Sequence, residues 1–258
     1  MTNASDVRTV ASTGGNGEWN ENAAFWVQII RERRDRYRTE LTDKAVHEAI
    51  GTCDGLSVLD VGCGEGYMAR EIARRGAKQV VGIDTSKPLI EAAQATTSEH
   101  TSLSFKVGDV ARLPFAARMF DVVLANHLMN DLPDIAEPIQ EFARVLRPTG
   151  HLVILMLHPC FYGLRAERQA IRKHPDVDEY FSPRVIQQHF EVDGIVSPVT
   201  TTSWLRPLEC YTRTLTAAGF QLADLREPHP SQEQLATSAW WRNNFPRPLF
   251  LLLTAVKH

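Results

Sequence analysis

The sequence is poor in cysteine and in long apolar runs. Its 258 residues include four cysteines, and no two of them form a Cys-x-x-Cys pair. This scarcity argues against a disulfide framework and favours reduced thiols in a cytoplasmic protein. No apolar run approaches the roughly 18 to 20 residues of a membrane span, and the N-terminus lacks the apolar core of a signal peptide. We therefore expect a cytoplasmic protein that makes no use of a membrane.

The sequence also lacks a charge excess and several common site motifs. The formal net charge is -3, so no basic surface is expected for nucleic acid or for an anionic membrane. The histidines and acids show no His-x-x-x-His, His-Glu-x-x-His or clustered carboxylate spacing, so no metal site is predicted. A Gly-x-Ser-x-Gly elbow and a phosphate-binding loop are missing too. We therefore expect neither a nucleic acid nor a membrane surface as a partner.

One glycine-rich turn is the most informative feature that is present. Ser57 to Val61 form a predicted buried strand, and Tyr67 to Arg75 form a predicted helix that ends at Gly76. Between them lie three glycines at alternate positions: Gly62, Gly64 and Gly66. A glycine turn between strand and helix lets a ligand approach bare backbone, as in nucleotide-binding units.

Two residues indicate that the ligand of this turn is a cation. A dinucleotide fingerprint starting at Gly62 needs glycine or alanine at position 67, which is Tyr67. Asp60 precedes the first glycine by two residues, and its charge would repel a pyrophosphate but attract an ammonium or a sulfonium. The turn therefore favours a cationic nucleoside over phosphates.

The turn and four later segments together resemble the motifs of class I S-adenosylmethionine (SAM) dependent methyltransferases. The resemblance covers roughly residues 55 to 157. The later segments are Gln79 to Asp84, Val107 to Phe115, Phe120 to Ala125 and Glu141 to Gly150. In the family, the acid at Asp84 binds the ribose hydroxyls, and the acid at Asp109, with Val110, contacts the adenine.

The resemblance implies SAM as the cofactor and a set of residues that hold it. Asp60 and the glycines would hold the methionine part, while Asn126 would supply backbone near the sulfonium. The expected cofactor-binding residues are Asp60, Gly62, Cys63, Gly64, Asp84, Thr85, Asp109, Val110, Asn126 and Tyr37.

Strands and helices alternate along the chain, which predicts an α/β fold with a mostly parallel sheet and helices on both faces. Further strands are predicted at Leu103 to Val107, His151 to Leu157, Phe220 to Arg226 and Leu249 to Val256. The resemblance implies a Rossmann-like sheet of seven strands, with the last strand antiparallel between the fifth and the sixth.

Two regions lie outside this minimal fold. Residues 1–18 are predicted to be a disordered tail, and residues 19–50 an N-terminal helical cap. The helix is expected from Glu21 to Ile50, with a break near Thr42 and Asp43. The apolar stripe of this helix either faces the core or covers the opening of the cofactor site. In the second case, Tyr37 or Trp26 would touch the methionine end of the cofactor or the substrate. Residues 51–258 would form the SAM-binding domain.

The second region is an insertion at residues 158–207, which is too long for a simple connection. It is rich in aromatic residues, and alternating Val192, Ile195 and Val199 suggest short strands. We interpret it as the lid and wall of an apolar substrate pocket, although the aromatics could equally pack the insertion against the domain. The candidate substrate contacts are Trp26, Phe161, Tyr162, Trp204 and Tyr211; for Tyr211, core packing is the alternative.

Three residues past the fourth and fifth strands are candidates for a general base. They are His127, Asp131 and His158. His158 stands where the insertion begins, and it is either a catalytic residue or a structural histidine. Asn130 and Asp131 depart from a histidine pair found in many small-molecule methyltransferases, and Asp131 could instead cap the next helix.

The sequence thus predicts a SAM-dependent methyltransferase that acts on a small organic molecule in specialised metabolism, similar to tailoring enzymes and quinone C-methyltransferases. Whether oxygen, nitrogen or carbon accepts the methyl group stays open. The alternatives are a SAM-binding pathway protein without catalysis and an NAD-dependent oxidoreductase, which Asp60 and Tyr67 oppose. A homo-oligomer is also open, because the N-terminal helix could reach a neighbouring chain.

Overall fold

Most strands in the described part of the chain belong to one central sheet. The computed structural model describes residues 17–97, 102–162, 180–182 and 184–258. Nearly all of the predicted tail, and residues 163–179 of the insertion, lie outside these ranges. The strands are β1 (Ser57–Val61), β2 (Gln79–Asp84), β3 (Leu103–Val107), β4 (Phe120–Asn126), β5 (Leu146–Leu157), β6 (Arg184–Gln188), β7 (Glu191–Val192), β8 (Ile195–Val196), β9 (Thr201–Leu205), β10 (Phe220–Arg226) and β11 (Phe250–Lys257).

The sheet has seven strands in the order β10-β11-β5-β4-β1-β2-β3. β1 pairs in parallel with β2 and β4, while β11 runs antiparallel to both β5 and β10. The Rossmann-like sheet and the place of its last strand are thereby confirmed. β1 lies at the middle of the parallel part, and every one of its residues is buried, as expected for a strand covered on both faces.

Helices cover both faces of this sheet. They are α1 (Gly17–Glu21), α2 (Ala23–Arg31), α3 (Asp43–Ile50), α4 (Tyr67–Arg74), α5 (Lys87–Ala95), α6 (Ala136–Val145), α7 (Leu208–Ala217), α8 (Gln232–Thr237) and α9 (Ala239–Asn244). Successive residues of β1 point to opposite faces, so Leu59 packs with α6 and α7, and Val58 packs with α3 and α4. The predicted two-sided packing is confirmed.

The N-terminal segment breaks earlier than the sequence predicts. α2 ends at Arg31, and Arg33 then adopts a left-handed conformation (φ 55°) that cannot continue a helix. The Asp35 carboxylate accepts hydrogen bonds from the backbone N–H groups of Tyr37 and Arg38, at 3.0 and 3.3 Å, and so starts the next helical segment.

The predicted break near Thr42 and Asp43 is wrong, because the chain stays helical through these two residues. A π-helical turn over Arg38–Thr42 runs directly into α3, which begins at Asp43. Such turns contain one extra residue and often occur at functional sites.

The described part of the insertion forms two small antiparallel pairs. β6 pairs with β9, and β7 pairs with β8 around a two-residue turn at Asp193 and Gly194. The predicted strand positions at Val192 and Ile195 are confirmed, whereas Val199 lies in the loop before β9. The insertion therefore brings a compact ribbon to the carboxyl end of the sheet.

Candidate active site

The glycine turn after β1 exposes its backbone to a cavity. Gly62 and Gly64 both have left-handed conformations, with φ values of 69° and 57°. A Cβ at Gly64 would meet no atom within 4 Å, whereas one at Gly62 would lie 2.8 Å from Leu128 Cδ1. The turn thus needs glycine for its geometry and leaves room for a ligand beside the backbone.

This cavity has a volume of about 450 Å³ and lies past the carboxyl ends of β1, β2 and β4. All of the expected cofactor residues except Tyr37 line it. Tyr37 lies at a neighbouring cavity, where its hydroxyl donates to the carbonyl of Asn244 at 2.7 Å. The position of the cavity is the one where α/β sheets bind ligands.

Asp60 is a buried acid that forms no ion pair with any described residue. Its exposed fraction is 1%, and neither carboxylate oxygen has a hydrogen-bond partner among the described residues. Burial, with the nearby charge of Asp84, raises the pKa of Asp60 to about 8. An isolated buried carboxylate is costly, so this position suits a ligand cation.

Two further acids have fixed positions in the same cavity. Asp84 accepts hydrogen bonds from the backbone N–H groups of Gly64 at 2.9 Å and Ser86 at 2.8 Å. Burial raises the pKa of Asp84. Asp109 accepts from the N–H of Ala111 at 2.9 Å. Each carboxylate keeps further lone pairs for a ligand hydroxyl or amino group.

Arg38 brings a positive charge to this acidic cavity. It extends from the π-helical turn, and its Nε lies 3.2 Å from Asp35. Its guanidinium carbon is 5.7 Å from the ring centre of Trp26 and 5.3 Å from that of Tyr67. Arg38 is not among the site residues predicted from the sequence, because it lies in a run of arginines that is typical of a solvated helix face. The one sequence signal for the turn is Asp35, a residue type that favours helix caps.

A second cavity of about 550 Å³ adjoins the first. The two cavities share part of their walls, namely Trp19, Trp26, Arg38, His127 and Asp131. The remaining walls of the second cavity come mainly from residues 34–37, from the β6–β8 region and from residues around α9. The shared residues mark the point where a ligand in one cavity would meet a ligand in the other.

His127 and Asp131, two of the predicted bases, lie at this junction. His127 has a left-handed backbone (φ 60°), and its ring packs edge-on against Phe250 at 5.5 Å. Burial, together with the charge of Arg38, lowers the pKa of His127 to about 3, so the imidazole is neutral. Burial, with the charges of Asp84 and Glu18, raises the pKa of Asp131 well above its usual value.

His158, the third predicted base, lies apart from them and lines neither of these two cavities. Its ring Nε2 is 2.9 Å from a carboxylate oxygen of Glu227, and its Nδ1 accepts from the N–H of Cys160. The ring of Phe161, a predicted substrate contact, packs on it at 4.7 Å. These contacts hold both residues within the start of the insertion.

The other predicted substrate contacts separate into three places. Trp26 lines both cavities, Tyr162 lines the second and Trp204 lines the first. Tyr211 has no exposed surface and packs in the core between α6, α7 and the sheet. The structure therefore brings Trp26 and Tyr162 to the second cavity and leaves Tyr211 away from it.

The N-terminal helices and the insertion are joined beside the first cavity. Glu18 accepts hydrogen bonds from the N–H and the hydroxyl of Thr202, at 2.8 and 2.7 Å. The buried amide of Asn22 bonds both the N–H and the carbonyl of Val199, each at 3.1 Å. Trp26 packs against Phe190 at 5.1 Å. Both alternatives for the helical stripe apply in part, since Phe25 and Ile29 are buried while Trp26 faces the cavities.

Two features are absent from the described ranges. Within them, no group of three or more histidine, cysteine, aspartate or glutamate side chains could hold a metal ion. Nor does any helix there combine the length and the apolarity that a membrane crossing requires.

Comparison with known proteins points to one family. A family model described as a methyltransferase domain matches residues 59–154. The chain is 28% identical over 212 residues to 27-O-demethylrifamycin SV methyltransferase of Amycolatopsis mediterranei, covering 75% of this chain and 72% of that protein. It is 32% identical over 136 residues to O-methyltransferase resE of Aspergillus sclerotiorum, covering 52% of each. The chain spans about half the length of most curated relatives it matches.

Solved structures show the same fold. A SAM-dependent methyltransferase from Mesorhizobium loti superposes with a TM-score of 0.67 at 23% identity, covering 83% of this chain and 96% of that one. A related structure from Listeria monocytogenes, described as a putative SAM-dependent methyltransferase, gives a TM-score of 0.70 at 22% identity with the same coverage.

Proposed function

We propose that the chain is a class I SAM-dependent methyltransferase and that it transfers a methyl group from SAM to a hydroxyl oxygen of a small organic molecule in specialised metabolism. The names of relatives such as 27-O-demethylrifamycin SV methyltransferase support the oxygen acceptor and the small-molecule class. The observation that carries the proposal is the unpaired, buried carboxyl of Asp60 beside a bare glycine turn.

The charges of the first cavity fit the parts of this cofactor. Asp60 would pair with the methionine ammonium, and Arg38 would pair with the methionine carboxylate. Asp84 would accept from the ribose hydroxyls, and Asp109, with Val110, would lie at the adenine. SAM supplies an activated methyl group, so the protein has chiefly to orient the two ligands and exclude water.

The second cavity would hold the acceptor. His127 and Asp131 lie where the two cavities meet, so in this proposal they would lie beside the transferred methyl group and the attacking atom. We assign His127, whose ring is neutral, as the group that accepts the hydroxyl proton. His158 is assigned a structural role, because Glu227 and the N–H of Cys160 already occupy its ring nitrogens.

Binding of SAM should release a proton below about pH 8. The ligand-free Asp60 holds its proton at neutral pH, because burial, with Asp84, raises its pKa to about 8. An ammonium beside the carboxylate favours the ionised form, so the pKa falls in the complex and the proton leaves. Affinity should therefore rise with pH, by at most about tenfold per unit, and level off above about pH 8. Calorimetry in two buffers with different ionisation enthalpies would measure how many protons are released when SAM binds. Equal binding enthalpies in the two buffers would contradict the pairing of Asp60 with the ammonium of SAM.

The proposed function is tested by incubating the protein with methyl-labelled SAM and a metabolite extract. The expected result is a labelled small molecule together with S-adenosylhomocysteine. Tight SAM binding without any transfer would favour the non-catalytic alternative. A thermal shift with NAD and none with SAM would favour the oxidoreductase instead.

A further inference from the structure

Asp131 is an acid at the junction of the two cavities, and the proposed function gives it no task. It is half-buried and lines both cavities. Its carboxyl oxygens are accessible from the cavities and form no hydrogen bond or ion pair with a described residue. It does not cap α6, because the N–H of Ala136 bonds Asp134 at 2.9 Å instead. A carboxylate without a partner in this position suits a ligand that brings a donor or a positive charge.

The arginines on the described walls of the second cavity already pair with other acids. These ion pairs join Arg34 to Asp193 at 2.7 Å, Arg36 to Glu40 at 2.6 Å and Arg38 to Asp35 at 3.2 Å. None of the three arginines forms an ion pair with Asp131. In the proposed complex the further donors of Arg38 pair with the methionine carboxylate, so the charge of Asp131 stays unbalanced.

Two more acids make this junction negative. Burial raises the pKa of Asp131, and so do the nearby charges of Asp84 and Glu18. Glu18 is held in place by the N–H of Thr202, which donates to it at 2.8 Å. Asp84 is held by the N–H of Gly64 at 2.9 Å. A positive charge placed among these carboxylates is attracted by all of them, whereas an anion is repelled.

Tryptophan rings stand beside the same junction. Trp19 and Trp26 both line the two cavities, and their ring centres are 6.3 Å apart. The guanidinium carbon of Arg38 lies 5.7 Å from the centre of the Trp26 ring, so this wall already contacts one cation. Indole faces attract ammonium groups, and aromatic rings are a common means of binding organic cations. The walls therefore match both the charge and the apolar body of an organic ammonium.

The sulfonium of SAM is another cation that would approach this junction. A carboxylate paired with the sulfonium would stabilise SAM before the reaction. It would lose its partner as the positive charge leaves sulfur, and the barrier to transfer would rise. An ammonium on the acceptor keeps its charge throughout the transfer, so pairing with it carries no such penalty. The acceptor is therefore the better partner for Asp131.

We propose, resting on the proposed function, that the acceptor carries a protonated amine in addition to its reacting hydroxyl, and that Asp131 pairs with this ammonium where the two cavities meet. Trp19 and Trp26 contribute the aromatic wall beside the ion pair. The pairing fixes the orientation of the acceptor, so that its hydroxyl faces the methyl group and His127. Asp131 thus determines which hydroxyl compounds bind, and His127 remains the proton acceptor.

The test measures the binding of three phenols to the protein saturated with S-adenosylhomocysteine. Tyramine carries an ammonium at neutral pH, 4-propylphenol has the same shape without the charge, and 3-(4-hydroxyphenyl)propanoate carries an anion. We expect tyramine to bind at least about tenfold more tightly than 4-propylphenol, because a charge-assisted pair is stronger than a neutral contact. The propanoate should bind most weakly of the three, because the carboxylates repel it. Calorimetry gives the three affinities without any need for turnover.

Two substitutions at Asp131 separate its charge from its shape. Asp131→Asn removes the charge and should lower the affinity for tyramine about tenfold, while the affinity for 4-propylphenol stays within about twofold. Asp131→Glu keeps the charge and should retain the preference for tyramine. Asp54→Asn, at an exposed position, is the matched control and should change neither affinity. Binding of S-adenosylhomocysteine to each variant shows that it is folded.

Four other outcomes would contradict one of the two proposals. If tyramine binds no better than 4-propylphenol, or if neither binds, the ammonium acceptor is overturned and the proposed function stands. Equal losses for both phenols in Asp131→Asn would also overturn it, because the carboxylate would then not bind the ammonium. A loss of affinity for SAM without a loss for S-adenosylhomocysteine would assign Asp131 to the sulfonium instead. Failure of the unchanged protein to bind SAM would overturn the proposed function itself.

Discussion

Asp60→Asn should weaken SAM binding by about a hundredfold and leave the ligand-free protein at least as stable. A charge-assisted hydrogen bond contributes roughly 1.5 to 3 kcal/mol, and each 1.4 kcal/mol is about tenfold in affinity. In the ligand-free protein the carboxyl has no hydrogen-bond partner among the described residues, and asparagine matches its protonated shape. Removing it should therefore cost little stability.

Calorimetry and thermal unfolding measure the two parts of this prediction. Asp54→Asn, at an exposed position before β1, is the control and should change neither the affinity nor the stability. The pH dependence of SAM binding should also disappear in Asp60→Asn, because the titrating group is gone. An unchanged SAM affinity would remove Asp60 from the cofactor site.

His127→Asn should lower kcat by about a hundredfold at a pH where the acceptor hydroxyl keeps its proton. A positioned base contributes roughly 10²- to 10⁴-fold, and the low pKa of His127 puts its contribution at the lower end of this range. The loss should fall on turnover and leave SAM binding within about twofold. Asparagine tolerates the left-handed backbone at this position, so the fold should be retained. Steady-state kinetics with calorimetric SAM titration separates the two effects.

His158→Asn is the comparison for that experiment. It should lower the melting temperature, because it disturbs the contacts with Glu227 and Cys160, and should change kcat only a few fold. If His158→Asn instead lowers kcat as much as His127→Asn does, the base belongs at His158, as its place after β5 suggested.

The sequence was sufficient to predict those parts of the fold that depend on a few adjacent residues. The strand over Ser57–Val61 and the turn after it follow from a short apolar run and three glycines, and the structure has both. The order of the sheet needed the family resemblance, since periodicity alone does not say which strands pair. The cofactor residues fall at strand ends, so the sheet brings them together once its order is known.

The features of the site that the sequence does not predict depend on contacts between distant segments of the chain. His158 follows a strand like the other candidates, but Glu227 lies 69 residues further along the chain and bonds its ring. Arg38 reaches the cavity because a π-helical turn follows the Asp35 cap, and apolar periodicity carries no signal for that extra residue. Trp26 lies on the same helix as buried Phe25, and only the position of the insertion decides which ring reaches a cavity.

The shared wall between the two cavities has a consequence for the order of events in a catalytic cycle. Trp26, Arg38 and His127 border both spaces, so a molecule in either one restricts the same side chains. The ligand that binds first then bears most of the entropy cost of ordering these side chains, and the second ligand binds to a surface that is already rigid. A ligand in one cavity should therefore raise the affinity of the other cavity for its own ligand. By linkage, the two affinities rise by the same factor.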